Sequence, residues 1–222
     1  MKEFEQVAFD IETGGLPAET IEAIAPPFKE SSVKVGNLGL EKSLEKITQA
    51  REKHLATIHD KAALNAEYGL VLAIGMLHEN GTSTLLHGDE SNIIAEFWAR
   101  ALADSRQGLV QYVGFNCLAF DLPFLFRRSL LLGLEIPREL RPEKRYWPNF
   151  FIDLMDIWKA GNYRDMIGLD RFCKAAGLPG KSGDGAHFQE QYETNQEEAL
   201  AYLENDLAVT MGLAKKVLPL LP

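Results

Sequence analysis

Two carboxylates stand one residue apart in an apolar run near the start of the chain, Val7-Ala8-Phe9-Asp10-Ile11-Glu12-Thr13-Gly14. In a strand, side chains alternate between faces, so Val7, Phe9 and Ile11 point one way and Ala8, Asp10 and Glu12 the other. Same-face neighbours lie about 5 to 7 Å apart, and two like charges at that spacing repel unless a positive charge sits between them. Two readings follow: a divalent-cation site, or an edge strand whose polar face meets water. A third acid, Asp206, shares a helical row with Tyr202, Val209 and Leu213. An unpaired carboxylate is costly to bury, so Asp206 is paired with a cation, bound to metal or open to solvent. A fourth, Asp121, precedes Leu122-Pro123 at the start of an apolar helical pattern, where an aspartate ordinarily serves as an N-cap. Asn116, just upstream, has the ordinary role of satisfying backbone groups in a turn.

These residues need elements to carry them. A strand over about 5 to 12 breaks at Thr13-Gly14-Gly15-Leu16-Pro17. A polar segment with Pro26-Pro27 and Gly36-Asn37 then leads into a charged helical pattern from about Glu41 to Leu64. We read residues 18–66 as a helical and loop insertion over a sheet, within a single domain of residues 1–222. Strand-like runs at 68–77 and 82–86 flank Glu79-Asn80-Gly81, a hairpin turn. A helix over 93–102, a strand over 109–115, a helix from Asp121 to Leu132 and a short strand near 150–154 follow. The last helix spans about Gln196 to Val217 and packs through Leu200, Leu203, Leu207, Met211 and Ala214. Strands first, then alternating helices and strands, predict an α/β fold with a central mixed β-sheet flanked by helices.

The chain has 222 residues, 46% of them hydrophobic and 25% charged, enough for one substantial core. No apolar run reaches the roughly 18 to 20 residues that span a bilayer, and the N-terminus has no signal-peptide core, so a cytoplasmic protein is expected. Cys117 and Cys173 fit neither a disulfide framework nor thiolate metal spacing and read as free thiols. The formal charge of −9 argues against a protein that coats a duplex. The charge is uneven: Arg127, Arg128, Arg138, Arg141, Lys144 and Arg145 crowd one stretch, whereas Asp184 to Asp206 carries acids but no Lys or Arg. An enzyme gripping a few nucleotides through metal ions needs few basic contacts.

Asp10-Ile11-Glu12, Asn116 to Phe120-Asp121, and Tyr202 to Asp206 occur in order on a strand, a strand-to-helix junction and a final helix. Together they resemble the DEDD superfamily of 3′-to-5′ exonucleases. Tyr202 is similar to the tyrosine of its DEDDy branch; in the histidine branch a His stands five positions before the last Asp, where this chain has Ala201. The wording is most similar to stand-alone exonucleases related to the proofreading domain of family B DNA polymerases, including Ala73-Ile74-Gly75, Phe151-Ile152-Asp153-Leu154-Met155 and Leu178-Pro179-Gly180-Lys181. His187 is too far upstream to replace the branch histidine and reads as a surface or loop residue.

The resemblance implies a ribonuclease H-like fold and one cluster of Asp10, Glu12, Asp121 and Asp206. Four hard oxygen donors suit two Mg²⁺ or Mn²⁺ ions. It implies that Asp10 bridges both ions, that Glu12 and Asp206 bind the ion that activates water, and that Asp121 acts through the second ion or its waters. Tyr202 would orient the nucleophile, since a phenol with pKa of about 10 is a poor base at neutral pH. Thr13 and Gly14 are expected on a loop near the terminal nucleotide, with Asn116 and Phe120 holding its sugar and base. The expected substrate is the 3′ end of single-stranded DNA, released as nucleoside monophosphates, with a separate polymerase as a possible partner and no membrane. Alternatives are a 3′-to-5′ exoribonuclease, a non-catalytic nucleic-acid-binding or polymerase-accessory module, and a phosphatase of small nucleotides. Arg141 to Trp147 reads as a loop docked by two core aromatics, or as a single-strand contact. Lys181 lies in a glycine-rich stretch without the spacing of a triphosphate loop.

Overall fold

The computed structural model describes residues 4–143, 146–180 and 187–221. Its contacts divide the chain into two compact units, Gly14–Leu70 and the remainder on either side of it. The larger unit is built on a five-stranded sheet in the order β3-β2-β1-β4-β5. Its strands are β1 (Glu5–Gly15), β2 (Gly69–His78), β3 (Ser83–His87), β4 (Val110–Gly114) and β5 (Phe151–Asp153). β2 and β3 pair antiparallel, whereas β1 with β4 and β4 with β5 pair parallel, so the sheet is mixed as expected. The helices of this unit are α3 (Glu90–Gln107), α4 (Asp121–Leu132), α5 (Leu154–Lys159), α6 (Leu169–Ala175), α7 (Phe188–Thr194) and α8 (Gln196–Val217); α1 (Ala18–Ile24) and α2 (Leu40–Asp60) belong to the smaller one.

β1 lies between β2 and β4 in the sheet order and is not an edge strand; its ladder with β4 covers Glu5 to Ala8, and Asp10 and Glu12 follow directly after it. Val7, Ala8, Phe9 and Ile11 are all buried, and the strand enters the core on both faces before the acids begin. Phe9 anchors an aromatic core, its ring centroid 5.8 Å from Phe97, 5.9 Å from Tyr112 and 6.0 Å from Phe151. The strand also runs on through Thr13 and Gly14 to Gly15, where the glycine pair predicts a break.

The helices are capped by local chemistry. Asp89 accepts from Asn92 N at 3.0 Å at the start of α3, which ends at Gly108 with φ 66°. Asn195 accepts from Glu198 N and donates to the Glu198 carboxylate at 3.0 Å, a reciprocal cap that sets the first turn of α8. Between α3 and α4, the Arg128 guanidinium grips Glu90 at 2.9 and 2.7 Å, and Glu90 also accepts from Val71 N at 2.8 Å. Gly75 lets α8 approach β2: a Cβ there would fall 2.6 Å from Leu207 Cδ1 and 3.0 Å from Leu203 Cγ. The missing side chain is therefore a condition for the height at which α8 crosses the sheet.

Within the smaller unit, Leu16 N donates to Tyr68 O at 2.8 Å, which ties its two ends together. α2 has no buried residue, in keeping with its charged sequence, and Arg51 pairs with Glu30. Among the described residues no helix is long and apolar enough to cross a membrane.

Candidate active site

Alternation along β1 puts Asp10 and Glu12 on one face, each half-buried. α8 supplies Asp206, 1% exposed, from 194 residues farther along than Glu12. One carboxylate oxygen from each of the three lies within 4.8 Å of the others. Three acids from two elements meet at the spacing of ligands around a cation, and their all-oxygen donor set suits a hard divalent ion.

Asp121 joins the group through Asp10. It is 3% exposed, and its Oδ1 accepts from Ile11 N, between the two β1 acids, at 3.1 Å. Burial pushes its carboxyl well above the ordinary carboxylate range; the negative charge of Asp10 and a hydrogen bond to it push the same way, with the Ile11 N–H opposing. The N-cap expectation is corrected here. Phe120 occupies the cap position of α4, no side chain caps the helix, and Asp121 is its first residue. The carboxylate reaches β1 instead, where it accepts from Ile11 N.

Tyr202 lies one helical turn before Asp206 and is half-buried. Its ring is 6.4 Å from that of Phe188, a buried residue of α7, so an aromatic on a neighbouring helix backs the phenol. Asn116 sits in the left-handed region, φ 63°, in the turn between β4 and α4. Its carbonyl accepts from Ala119 N at 3.1 Å and Phe120 N at 3.0 Å, so its backbone organises the turn as its sequence suggests. Phe120 is half-exposed with its ring 5.6 Å from Phe124. Thr13 is half-buried and Gly14 buried, and both lie on strand, not on the loop expected of them.

Other sequence expectations divide. His187 is exposed beside Glu190, a surface position as read. Trp147 docks edge-on against Phe126 and Phe151 at 6.2 and 6.1 Å, but Tyr146 is 65% exposed and is not the core aromatic expected of it. Lys144, Arg145 and Lys181 lie outside the described residues. Cys117 and Cys173 are free and buried; burial, then the charges of Asp153, Asp121 and Asp10, push the Cys117 thiol up.

Sequence reasoning passed over Asp153 except as part of a matching stretch. It is a buried carboxylate that accepts three backbone N–H groups, from Asn116, Leu118 and Met155. Its signal was an acid at the end of a strand-like run directly before a helical one.

The family described as "Predicted 3'-5' exonuclease related to the exonuclease domain of PolB" matches residues 61–213. This chain belongs to that family. The matched span of this PolB-type exonuclease relative contains Asp121, Tyr202 and Asp206 but not the acids of β1. Among solved structures it is similar to the family B DNA polymerase from the hyperthermophilic archaeon Pyrobaculum calidifontis, with a TM-score of 0.60 and 18% identity over 97% of this chain. The chain spans 25% of that polymerase's length. The likeness assigns the ribonuclease H-like fold. No curated protein matches the chain.

Proposed function

We propose that this chain is a metal-dependent 3′-to-5′ exonuclease of the DEDDy type that removes nucleoside monophosphates from the 3′ end of single-stranded DNA. The observation that carries the reading is the meeting of Asp10, Glu12 and Asp206 oxygens within 4.8 Å, in a chain of an exonuclease family. Asp10, Glu12 and Asp206, with Asp121 through Asp10, would hold two Mg²⁺ or Mn²⁺ ions. Such ions supply charge neutralisation, acidify water and stabilise both the attacking and leaving oxygens of a phosphodiester displacement.

The chain's own residues then have distinct tasks. Asp10, on the central strand and hydrogen-bonded to Asp121, would be shared between the ions, and Glu12 and Asp206 would help hold the ion that acidifies the water. Tyr202, one turn from Asp206, orients that water with its hydroxyl, and Phe188 limits the arc its ring can sweep. Thr13 and Gly14 contact the terminal nucleotide by their backbone from the end of β1. Phe120 offers its exposed face to a base, and Asn116 its amide to the sugar. The similarity to a DNA polymerase favours DNA over RNA and makes a separate polymerase, proofread in trans, the partner of choice.

The test is gel-resolved digestion of 5′-labelled single-stranded DNA and matched RNA with Mg²⁺, Mn²⁺ or EDTA, wild type beside Asp10→Ala. A metal-dependent ladder shortening from the 3′ end, absent in the variant, is expected. Intact oligonucleotides in every lane would move the assignment to a binding module.

A further inference from the structure

We propose that Asp153 is a positioning residue: it clamps the turn that presents Asp121 to β1, and so sets the geometry of the acidic cluster. The inference rests on the exonuclease reading for its effect on turnover, and on geometry alone for the clamp.

Asp153 ends β5 and lies opposite Gly114 in the parallel ladder. It is 3% exposed. Its Oδ1 accepts from Met155 N at 2.8 Å, which caps α5, and from Asn116 N at 2.7 Å. Its Oδ2 accepts from Leu118 N at 3.0 Å. Capping a six-residue helix takes one side-chain oxygen, and Ser or Asn supplies it without burying a carboxylate. The other two bonds cross to the turn between β4 and α4 and give a buried acid a purpose beyond the cap.

Asn116 stands at φ 63°, in the left-handed region that asparagine enters more readily than most non-glycine residues. Asp153 bonds the amides at the beginning and middle of the turn. Asn116 O and Cys117 O then receive Ala119, Phe120 and Leu122 N–H, which closes it. Gly114 removes slack beneath it, since a Cβ there would fall 2.6 Å from Cys117 Cβ. The turn therefore delivers Asp121 at one place, with its Oδ1 on Ile11 N. A strand-end acid on the sheet edge thus governs an acid facing the central strand, with no contact to substrate.

Asp153→Asn and Asp153→Ser test this. Asn keeps the shape but turns an NH₂ toward an amide N–H; Ser keeps one oxygen for the α5 cap, which Asn116 N shares, and has none for Leu118 N. Hydrogen exchange at Leu118 to Asp121 is expected to quicken about tenfold in both. The Mn²⁺ concentration giving half the thermal shift should rise and kcat should fall, each by about 10- to 100-fold, with KM nearly unchanged. Glu90→Gln, which disturbs a buried charge elsewhere, serves as control and should lower melting temperature while leaving the Mn²⁺ midpoint and kcat at wild-type values. If the Asp153 variants behave like that control, the positioning role is overturned. Unchanged exchange at Leu118 to Asp121 overturns the clamp whether or not the wild type cleaves DNA. A wild type with neither cleavage nor a Mn²⁺ shift overturns the exonuclease reading instead, and the exchange data then decide the clamp. Should the Asp153→Asn variant fail to fold, the Ser variant, with its helix cap intact, carries the test.

Discussion

Two charge sites in this molecule are built on opposite plans. At Glu90 and Arg128, an acid and a guanidinium meet through two hydrogen bonds, and the acid also holds the Val71 amide. At Asp10, Glu12, Asp121 and Asp206, like charges gather, and one of them, Asp121, is pushed well above its ordinary titration range by burial and by its neighbour. The first site joins α3, α4 and the start of β2 and matches charge with charge. The second works against the fold unless cations or protons offset it, which is what a site kept for chemistry looks like. Removing a partner from the first should therefore destabilise the fold while sparing chemistry, and removing one from the second should do the reverse.

The largest expected effect lies at the acidic site. Asp10→Ala should lower exonuclease turnover by at least about 10³-fold, the scale of losing a metal-held charge stabiliser. Its melting temperature without metal should equal or exceed that of the wild type; a strongly destabilised variant would show that Asp10 belongs to the fold and would break the contrast. Next, Glu90→Ala should cost about 3 to 5 kcal/mol in urea unfolding, because it takes the two-point carboxylate partner away from the buried Arg128 guanidinium, while kcat per folded molecule stays at the wild-type value. Mn²⁺ at about 100 times its dissociation constant should stabilise the wild type by about 2.7 kcal/mol and Asp10→Ala hardly at all, read by thermal shift. Tyr202→Phe should lose about 10- to 100-fold in kcat, less than Asp10→Ala, since it removes orientation and not charge. A total loss would mean that the phenol does more than orient.

The smallest effect concerns pH. A carboxyl whose folded pKa lies above its unfolded value, ordinarily 3.8, holds more protons folded than unfolded. Its contribution to stability is full below that value and declines as pH rises toward the folded pKa. Asp121→Asn removes the penalty, so without metal it should gain more melting temperature over wild type at about pH 8 than at about pH 5. Equal gains at both pH values would show that Asp121 ionises freely. With Mn²⁺ present the order should invert, the wild type being the more stabilised.

Local pattern made much of this readable in advance. α8 runs from Gln196 to Val217 as its apolar stripe predicts. The strands from β2 to β5 fall within a residue or two of their apolar runs. The i,i+2 spacing of Asp10 and Glu12 marked one face of one strand, and their repulsion suggested an ion. By contrast, Asp121 and Asp153 were poorly legible because an acid at a helix start has the same local signature whether it caps that helix or reaches elsewhere. Asp153 does both, and Asp121 accepts from Ile11, 110 residues away. The glycine at 75 also carried no local sign of the Leu203 and Leu207 side chains that need its space.

By itself, then, the sequence determined the elements and the acids they carry, because hydrophobic period and cap chemistry act between residues a few positions apart. Tertiary structure alone decided that β1 is central, that α8 passes low enough over β2 for Asp206 to meet Asp10 and Glu12, and that the turn before α4 aims Asp121 inward. Those outcomes rest on packing and hydrogen bonds between residues far apart in the chain, where no local periodicity reaches.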